Sequence, residues 1–269
     1  MNSRSITSPQ NHRIKDAARL RLSRHRTKQQ RTLVDGIREI GRAVDAKVEL
    51  VEVFVCRSLC QQSGGDTVLA RIDKLGVPVW DVSPEVFSRL AFGKRHEGLV
   101  AVAHTPCPGL EQLHVADNAL VAVACGLEKP GNVGAIIRSA DAAGVDAVIV
   151  ADPATDLFNP NCIRASLGTI FAKPVVEAAG SDALAWLRSN QFKLFAARLD
   201  ADCAYSDVDF RGRSAILLGS ESSGLSKAWR DADVKPIGLP MHGTADSLNV
   251  SAAAAVLFYE ALRQRTGLG

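Results

Sequence analysis

Between Leu120 and Leu239 the chain sets five short apolar runs among patterns of helical period: Leu120–Ala124, Ala147–Ala151, Lys193–Ala197, Ala215–Leu218 and Val234–Leu239. Apolar runs of this length, bounded by turn residues, read as strands covered on both faces. Their alternation with helices predicts an α/β unit with a largely parallel sheet and speaks against an all-helical or sandwich architecture. A last helical pattern, from Ser247 to about Arg265, repeats apolar residues at Val250, Ala253, Ala254, Leu257, Phe258 and Ala261. Ligands of open parallel sheets sit beyond the carboxyl ends of the strands. The segments after these runs are therefore where chemistry is expected.

A smaller alternation precedes it. Ile37, Ile40 and Val44 recur at helical spacing, and Leu50–Val55 reads as a strand. A helix through Val68, Leu69, Ile72 and Leu75 follows the candidate cap Asp66, then a short strand at Val77–Trp80. Ser83 and Pro84 suit the N-cap and first position of another helix, and Leu99–Ala103 closes the unit as a buried strand. Thr105-Pro106-Cys107-Pro108-Gly109 breaks both helix and strand and reads as a linker. With 269 residues there is length for two cores, and the expected domains are 1–108 and 117–269.

Charge is unevenly spread. The net charge is only +3, yet nine basic residues lie between Arg4 and Arg31 against the single acid Asp16. Such clustering is the footprint of a nucleic-acid contact. Residues 1–10 lack periodicity and are expected to be loose. From Asn11 to about Thr32 the pattern is a polar helix with Ile14, Ala17, Ala18, Leu20 and Leu22 to bury. Residues 1–32 thus form the basic segment, whose plain alternative is a solvated tail.

Several classes are excluded. The six cysteines (Cys56, Cys60, Cys107, Cys125, Cys162, Cys203) form no CxxC pair, which argues against a zinc site or disulfide framework. No metal is expected. No apolar run is long enough to span a bilayer, and none resembles a signal-peptide core, so no membrane association and a cytoplasmic location are expected. Neither GxGxxG after a strand nor GxxxxGK[ST] occurs, which removes dinucleotide and P-loop chemistry.

Three segments remain, each after an apolar run. The first is Pro130-Gly131-Asn132-Val133-Gly134-Ala135-Ile136-Ile137-Arg138. Its glycines permit close approach, Asn132 donates and accepts hydrogen bonds, and the guanidinium of Arg138 is suited to phosphate near a helix start. The plain alternative for Arg138 is a surface pair with Asp141. The second is Leu218-Gly219-Ser220-Glu221-Ser222-Ser223-Gly224, small residues with one acid. In the third, Leu239-Pro240-Met241 leaves a strand, His242–Ala245 forms a loop, and Asp246 or Ser247 is the expected cap of the last helix, with Asn249 just inside it.

These segments, in this order, resemble the signature motifs of the SpoU/TrmH group of RNA ribose 2′-O-methyltransferases, in the SPOUT superfamily. The resemblance covers about residues 117–269. The first domain resembles the ribosomal-protein-like RNA-binding domain that many members carry, through Asn11-His12-Arg13-Ile14-Lys15 and Glu97-Gly98-Leu99-Val100-Ala101-Val102. The resemblance implies a C-terminal α/β domain with a deep trefoil knot, S-adenosyl-L-methionine bound within it, and a homodimer through that domain. By motif position, Gly219, Leu239 and Leu248 would meet the cofactor, with Ala197, Leu218, Ser220, Met241 and Ser247 nearby. Asn132, Arg138, Glu221, Ser247 and Asn249 would form the catalytic set. Arg164 of Ile163-Arg164-Ala165-Ser166 matches a position near the substrate, and Arg13, Lys15, Arg19, Arg24, Arg26 and Arg138 would join it in contacting RNA. The expected reaction is methylation of a ribose 2′-hydroxyl, in 23S ribosomal RNA given the added domain. A transfer-RNA ribose methyltransferase and a non-catalytic RNA-binding or ribosome-assembly protein are the alternatives; base methylation is disfavoured by the motif set. One departure is Lys129 before the first-motif Pro130, where members often carry an acid or small polar residue.

Overall fold

The computed structural model describes residues 4–92, 97–106, 108–220, 224–230 and 233–267. The chain forms two compact units, one of residues 1–106 with 158–172, the other of 107–157 with 173–269. The segment 158–172 lies between two strands of the second unit in sequence yet groups with the first.

The first unit runs β1 (Arg4–Ile6), α1 (His12–Arg19), α2 (Ser23–Gln29), β2 (Arg31–Asp35), α3 (Ile37–Asp45), β3 (Leu50–Val55), α4 (Arg57–Gln62), α5 (Asp66–Lys74), β4 (Val79–Val82), α6 (Pro84–Leu90) and β5 (Leu99–His104). Its mixed sheet has the order β1-β4-β3-β5-β2. Two expectations are corrected here. Residues 1–10 are not all loose, because Arg4–Ile6 pairs in parallel with Trp80–Val82 and Ile6 is buried. The basic helix is two short helices followed by a strand, since α1 ends at Arg19 with Leu20 as its C-cap and β2 begins at Arg31. The end of α1 leaves carbonyls without intrahelical partners; Nη1 of Arg26 donates to Leu20 O at 2.7 Å and satisfies one of them. Ile14, Ala17 and Leu20 sit in the core with Phe54, Phe87 and Val100, while Leu22 is exposed. Asp66 starts α5 rather than capping it, whereas Ser83 caps α6 as expected, accepting from Val86 N. A turn with φ +79° at Gly98 leads into β5, and a Cβ there would lie 2.2 Å from Cys60 N, so only glycine fits.

The second unit holds β6 (Leu120–Cys125), α7 (Pro130–Ala142) and β7 (Ala147–Ala151). The segment that groups with the first unit comes next, bearing α8 (Pro160–Ala165) and α9 (Thr169–Ala172). The chain then forms β8 (Val175–Ala178), α10 (Gly180–Ser189), β9 (Lys193–Ala197), β10 (Ser214–Leu218), α11 (Lys227–Arg230), β11 (Val234–Ile237) and α12 (Val250–Thr266). Strand order is β11-β9-β10-β6-β7-β8, and every pairing is parallel. All residues of β6, β7 and β10 are buried, which is why they read as continuous apolar runs. Val121, Val123, Ile149 and Leu217 pack on one face with Ala183 and Leu187 of α10 and Trp229 of α11, and α7 packs along α12. Pro236 is tolerated because β11 is an edge strand. Among the described residues no helix is long and apolar enough to cross a membrane.

Candidate functional site

The chain leaves β9, β10 and β11 at their carboxyl ends around a single cavity of about 390 Å³. Its walls are Ala197 to Asp200 from the end of β9 onward, Leu218 to Ser220 with Gly224 and Leu225 from the end of β10, Ile237, Leu239 and Met241 from the end of β11, and Ser247, Leu248, Val250 and Ala253 leading into α12. All eight residues expected to meet a cofactor (Ala197, Leu218, Gly219, Ser220, Leu239, Met241, Ser247, Leu248) line it. The loop after β10 is cinched by two bonds, Ser220 N to Gly224 O at 3.1 Å and Gly224 N to Ser220 O at 2.9 Å. Gly219 lies against the backbone of Gly224 and Leu225: a Cβ on it would be 2.5 Å from Gly224 C and 2.7 Å from Leu225 N. Backbone atoms standing where a Cβ would go leave no room for a side chain.

Asn249, not Asp246 or Ser247, caps the last helix. Its Oδ1 accepts from Ser251 N at 3.0 Å and Ser251 Oγ at 2.6 Å, and α12 begins at Val250. Ser247 is thereby freed to line the cavity. The Nδ2 of Asn249 donates to Oδ1 of Asn132, in the first turn of α7, at 3.3 Å. The first and third motifs therefore meet through two side-chain amides at paired helix starts. Arg138 lies exposed farther along α7, and among the described residues it makes no ion pair with Asp141. Glu221 of the second motif lies outside the described residues.

Arg198, Leu199 and Asp200 belong to the cavity wall and were missed in the sequence. Arg198 Nε donates to Asp200 Oδ1 at 2.9 Å and Nη2 to Oδ2 at 2.5 Å. This bond holds the Arg198 guanidinium above its ordinary pKa. No motif marks these residues; the signal available was position alone, immediately past a strand's carboxyl end. Cys56, Cys60, Cys125 and Cys162 are buried thiols, in keeping with small hydrophobes, and burial pushes the thiols of Cys60 and Cys125 up. Among the described residues no His, Cys, Asp and Glu group could hold a metal.

In the first unit, Lys15 and Arg24 are exposed, and Arg19 is exposed with Asp16 at 2.9 Å. Arg13 sits 4.4 Å above the Trp80 ring and pairs with Glu52 at 3.1 Å. Arg26, by contrast, is 3% exposed and donates from Nη1 to Leu20 O, so the fold uses it to hold the end of α1. Arg164 donates to Phe92 O at 2.6 Å within the same unit. Phe92 N in turn donates to Asp35 Oδ2 at 2.6 Å, and Arg21 Nη2 donates to Ala91 O at 2.6 Å. Burial pushes the Asp35 carboxyl up to about 6, against the opposing pull of the Phe92 bond and the Arg164 charge.

The SpoU rRNA Methylase family model matches residues 119–259, and a model of an MRM3-like substrate binding domain matches residues 11–101. Across 95% of this chain and 98% of the relative, the chain is 28% identical to the 23S rRNA (guanosine(2553)-2′-O)-methyltransferase RlmP of Bacillus subtilis. Among solved structures it resembles an RNA 2′-O ribose methyltransferase, with TM-score 0.85, 41% identity and coverage of 97% and 99% of the two chains. It also resembles the SpoU methyltransferase AviRb from Streptomyces viridochromogenes in complex with the cofactor AdoMet, with TM-score 0.86, 30% identity and coverage of 96% and 100%.

Proposed function

The chain belongs to the SpoU rRNA Methylase family, and we propose that it is an S-adenosylmethionine-dependent methyltransferase acting on a ribose 2′-hydroxyl of 23S ribosomal RNA. The observation that carries this is the convergence of the eight motif-matched residues on one cavity at the carboxyl ends of β9, β10 and β11. The cavity suits the cofactor. Its volume is that of a small-molecule site, its wall is chiefly aliphatic, and bare backbone at Gly219 and Gly224 gives a flat nucleoside room to lie. The same reading gives a homodimer through the second unit and a cytoplasmic location. It also takes the loops after β9, β10 and β11 as the ring through which the chain leading to α12 threads as a knot.

The cofactor supplies an electrophilic methyl group on a sulfonium. The chain's own residues have to hold the ribose in line with it and manage the hydroxyl proton. Asn132 and Asn249, joined amide to amide, orient the hydroxyl, with Ser247 at the cavity wall and Glu221 completing the set. Arg138 is not the base, because a guanidinium stays protonated in proteins. It grips the adjacent phosphate and stabilises charge developing on the ribose oxygen, while positioning contributes most of the acceleration. Lys15, Arg19 and Arg24, exposed on the first unit, contact the RNA backbone electrostatically.

The test is transfer of a radiolabelled methyl group to unmodified ribosomal and transfer RNA offered in competition. Incorporation into 23S ribosomal RNA supports the assignment, and incorporation into transfer RNA alone would replace the substrate. No incorporation, with cofactor binding absent by calorimetry, would favour a non-catalytic RNA-binding protein.

A further inference from the structure

One wall of the cavity is charged. Among the described residues lining it, Arg198 and Asp200 are the two with acidic or basic side chains; the others are aliphatic, glycine, methionine or serine. The pair follows the end of β9, where the backbone N–H of Arg198 donates to Ile237 O at 3.0 Å and ties the turn to β11. Both prongs of the guanidinium face the carboxylate, with side-chain exposures of 27% for Arg198 and 69% for Asp200. Pairs this exposed add little to stability. A stabilising role therefore does not explain an ion pair in a wall whose other described residues are uncharged.

S-adenosylmethionine has an uncharged nucleoside end, a sulfonium, and an amino-acid end that carries a carboxylate and an ammonium side by side. An aliphatic wall suits the first. A lone charge would favour a ligand of opposite sign, whereas a matched pair suits a zwitterion, since each member has a partner of opposite sign and no unpaired charge is left at the wall. Arg198 has donors beyond the two engaged with Asp200.

On the reading of the cavity given above, we propose that Arg198 and Asp200 recognise the amino-acid end of the cofactor, the guanidinium binding its carboxylate and Asp200 its ammonium. Affinity is then set partly by the amino-acid end and little by the transferable methyl group. S-adenosylhomocysteine retains that end, and 5′-methylthioadenosine lacks it.

The experiment is calorimetric titration of the full chain with these two nucleosides, using the wild type and the variants Arg198→Ala and Asp200→Ala. Each variant is expected to bind S-adenosylhomocysteine roughly tenfold more weakly and 5′-methylthioadenosine as the wild type does. Thermal unfolding without ligand should match the wild type, because both side chains are on the surface of the wall. Wild-type affinity for S-adenosylhomocysteine in both variants would overturn the proposal, as would an equal loss for the two nucleosides. Failure of the underlying reading looks different: the wild type would bind neither.

Discussion

Replacing Gly219 by alanine adds one methyl group to a residue of the cavity wall that has backbone packed against it. A Cβ there would stand 2.5 Å from Gly224 C, 2.7 Å from Leu225 N and 2.8 Å from Gly224 O, all backbone atoms that cannot rotate away. The backbone at Gly224 and Leu225 has to move, and the bonds at risk are the two between Ser220 and Gly224. Overpacking of this kind costs about 1–3 kcal/mol, and each lost hydrogen bond about 0.5–1.5 kcal/mol. If about 2 kcal/mol of this must be recovered to rebuild the wall around a ligand, affinity for S-adenosylmethionine falls roughly 30-fold. Calorimetry with the cofactor, beside thermal unfolding of the free protein, reads both effects. The expected outcome is a large loss of affinity with an unfolding temperature lower by a few degrees. Unchanged affinity together with unchanged unfolding would refute the account, since the loop would then be free to relax and would not form the wall.

Arg138→Ala should reduce methyl transfer by about 10²-fold or more, as expected for removal of a group that stabilises charge in the transition state. Its side chain is exposed, so urea unfolding should shift by no more than about 0.5 kcal/mol. Asp35 tests the first unit. Its carboxyl titrates near 6 in the fold against about 4 unfolded, so the native state holds the proton more tightly and stability falls as pH rises from about 4 to about 6. Asp35→Asn should remove that decline, worth at most about 3 kcal/mol, in unfolding curves taken across this window; an unaltered pH dependence would show that Asp35 is not its source. Replacing Lys15, Arg19 and Arg24 together by Gln should flatten the salt dependence of RNA binding by about 2–3 in logarithmic slope, and an unchanged slope would remove these residues from the interface.

The sequence was most informative where burial is complete. β6, β7 and β10 have no exposed residue, so their apolar runs are uninterrupted and visible. β8 was missed because only Val175 and Val176 are buried and Glu177 faces outward. β2 was missed because it opens on Arg31, inside a basic segment whose composition suggested a continued helix. That helix breaks through tertiary contacts invisible to periodicity: Arg26 reaches back to Leu20 O, and Arg21 lies over the Phe92 ring. The grouping of residues 158–172 with the first unit is likewise a matter of long-range packing, as in the bond from Thr32 Oγ1 to Phe158 O at 2.7 Å. Of the candidate site, the glycine-marked loops were legible because bare backbone requires glycine. Arg198 and Asp200 were not, since an Arg-Leu-Asp triplet looks like any surface turn. Asn249 was noticed for the right reason, an amide at the edge of an apolar helix, but its capping role shows only in the bond to Ser251 N.

On the proposed mechanism the chain methylates a ribose hydroxyl with Arg138 beside the reacting oxygen. The most direct measurement is single-turnover transfer from S-adenosylmethionine to 23S ribosomal RNA, followed by digestion to nucleosides and mass spectrometry, for the wild type and Arg138→Ala side by side. The account predicts one 2′-O-methylated nucleoside, made by the wild type and nearly absent with the variant. A methyl group found on a base, or equal product from both proteins, would contradict it.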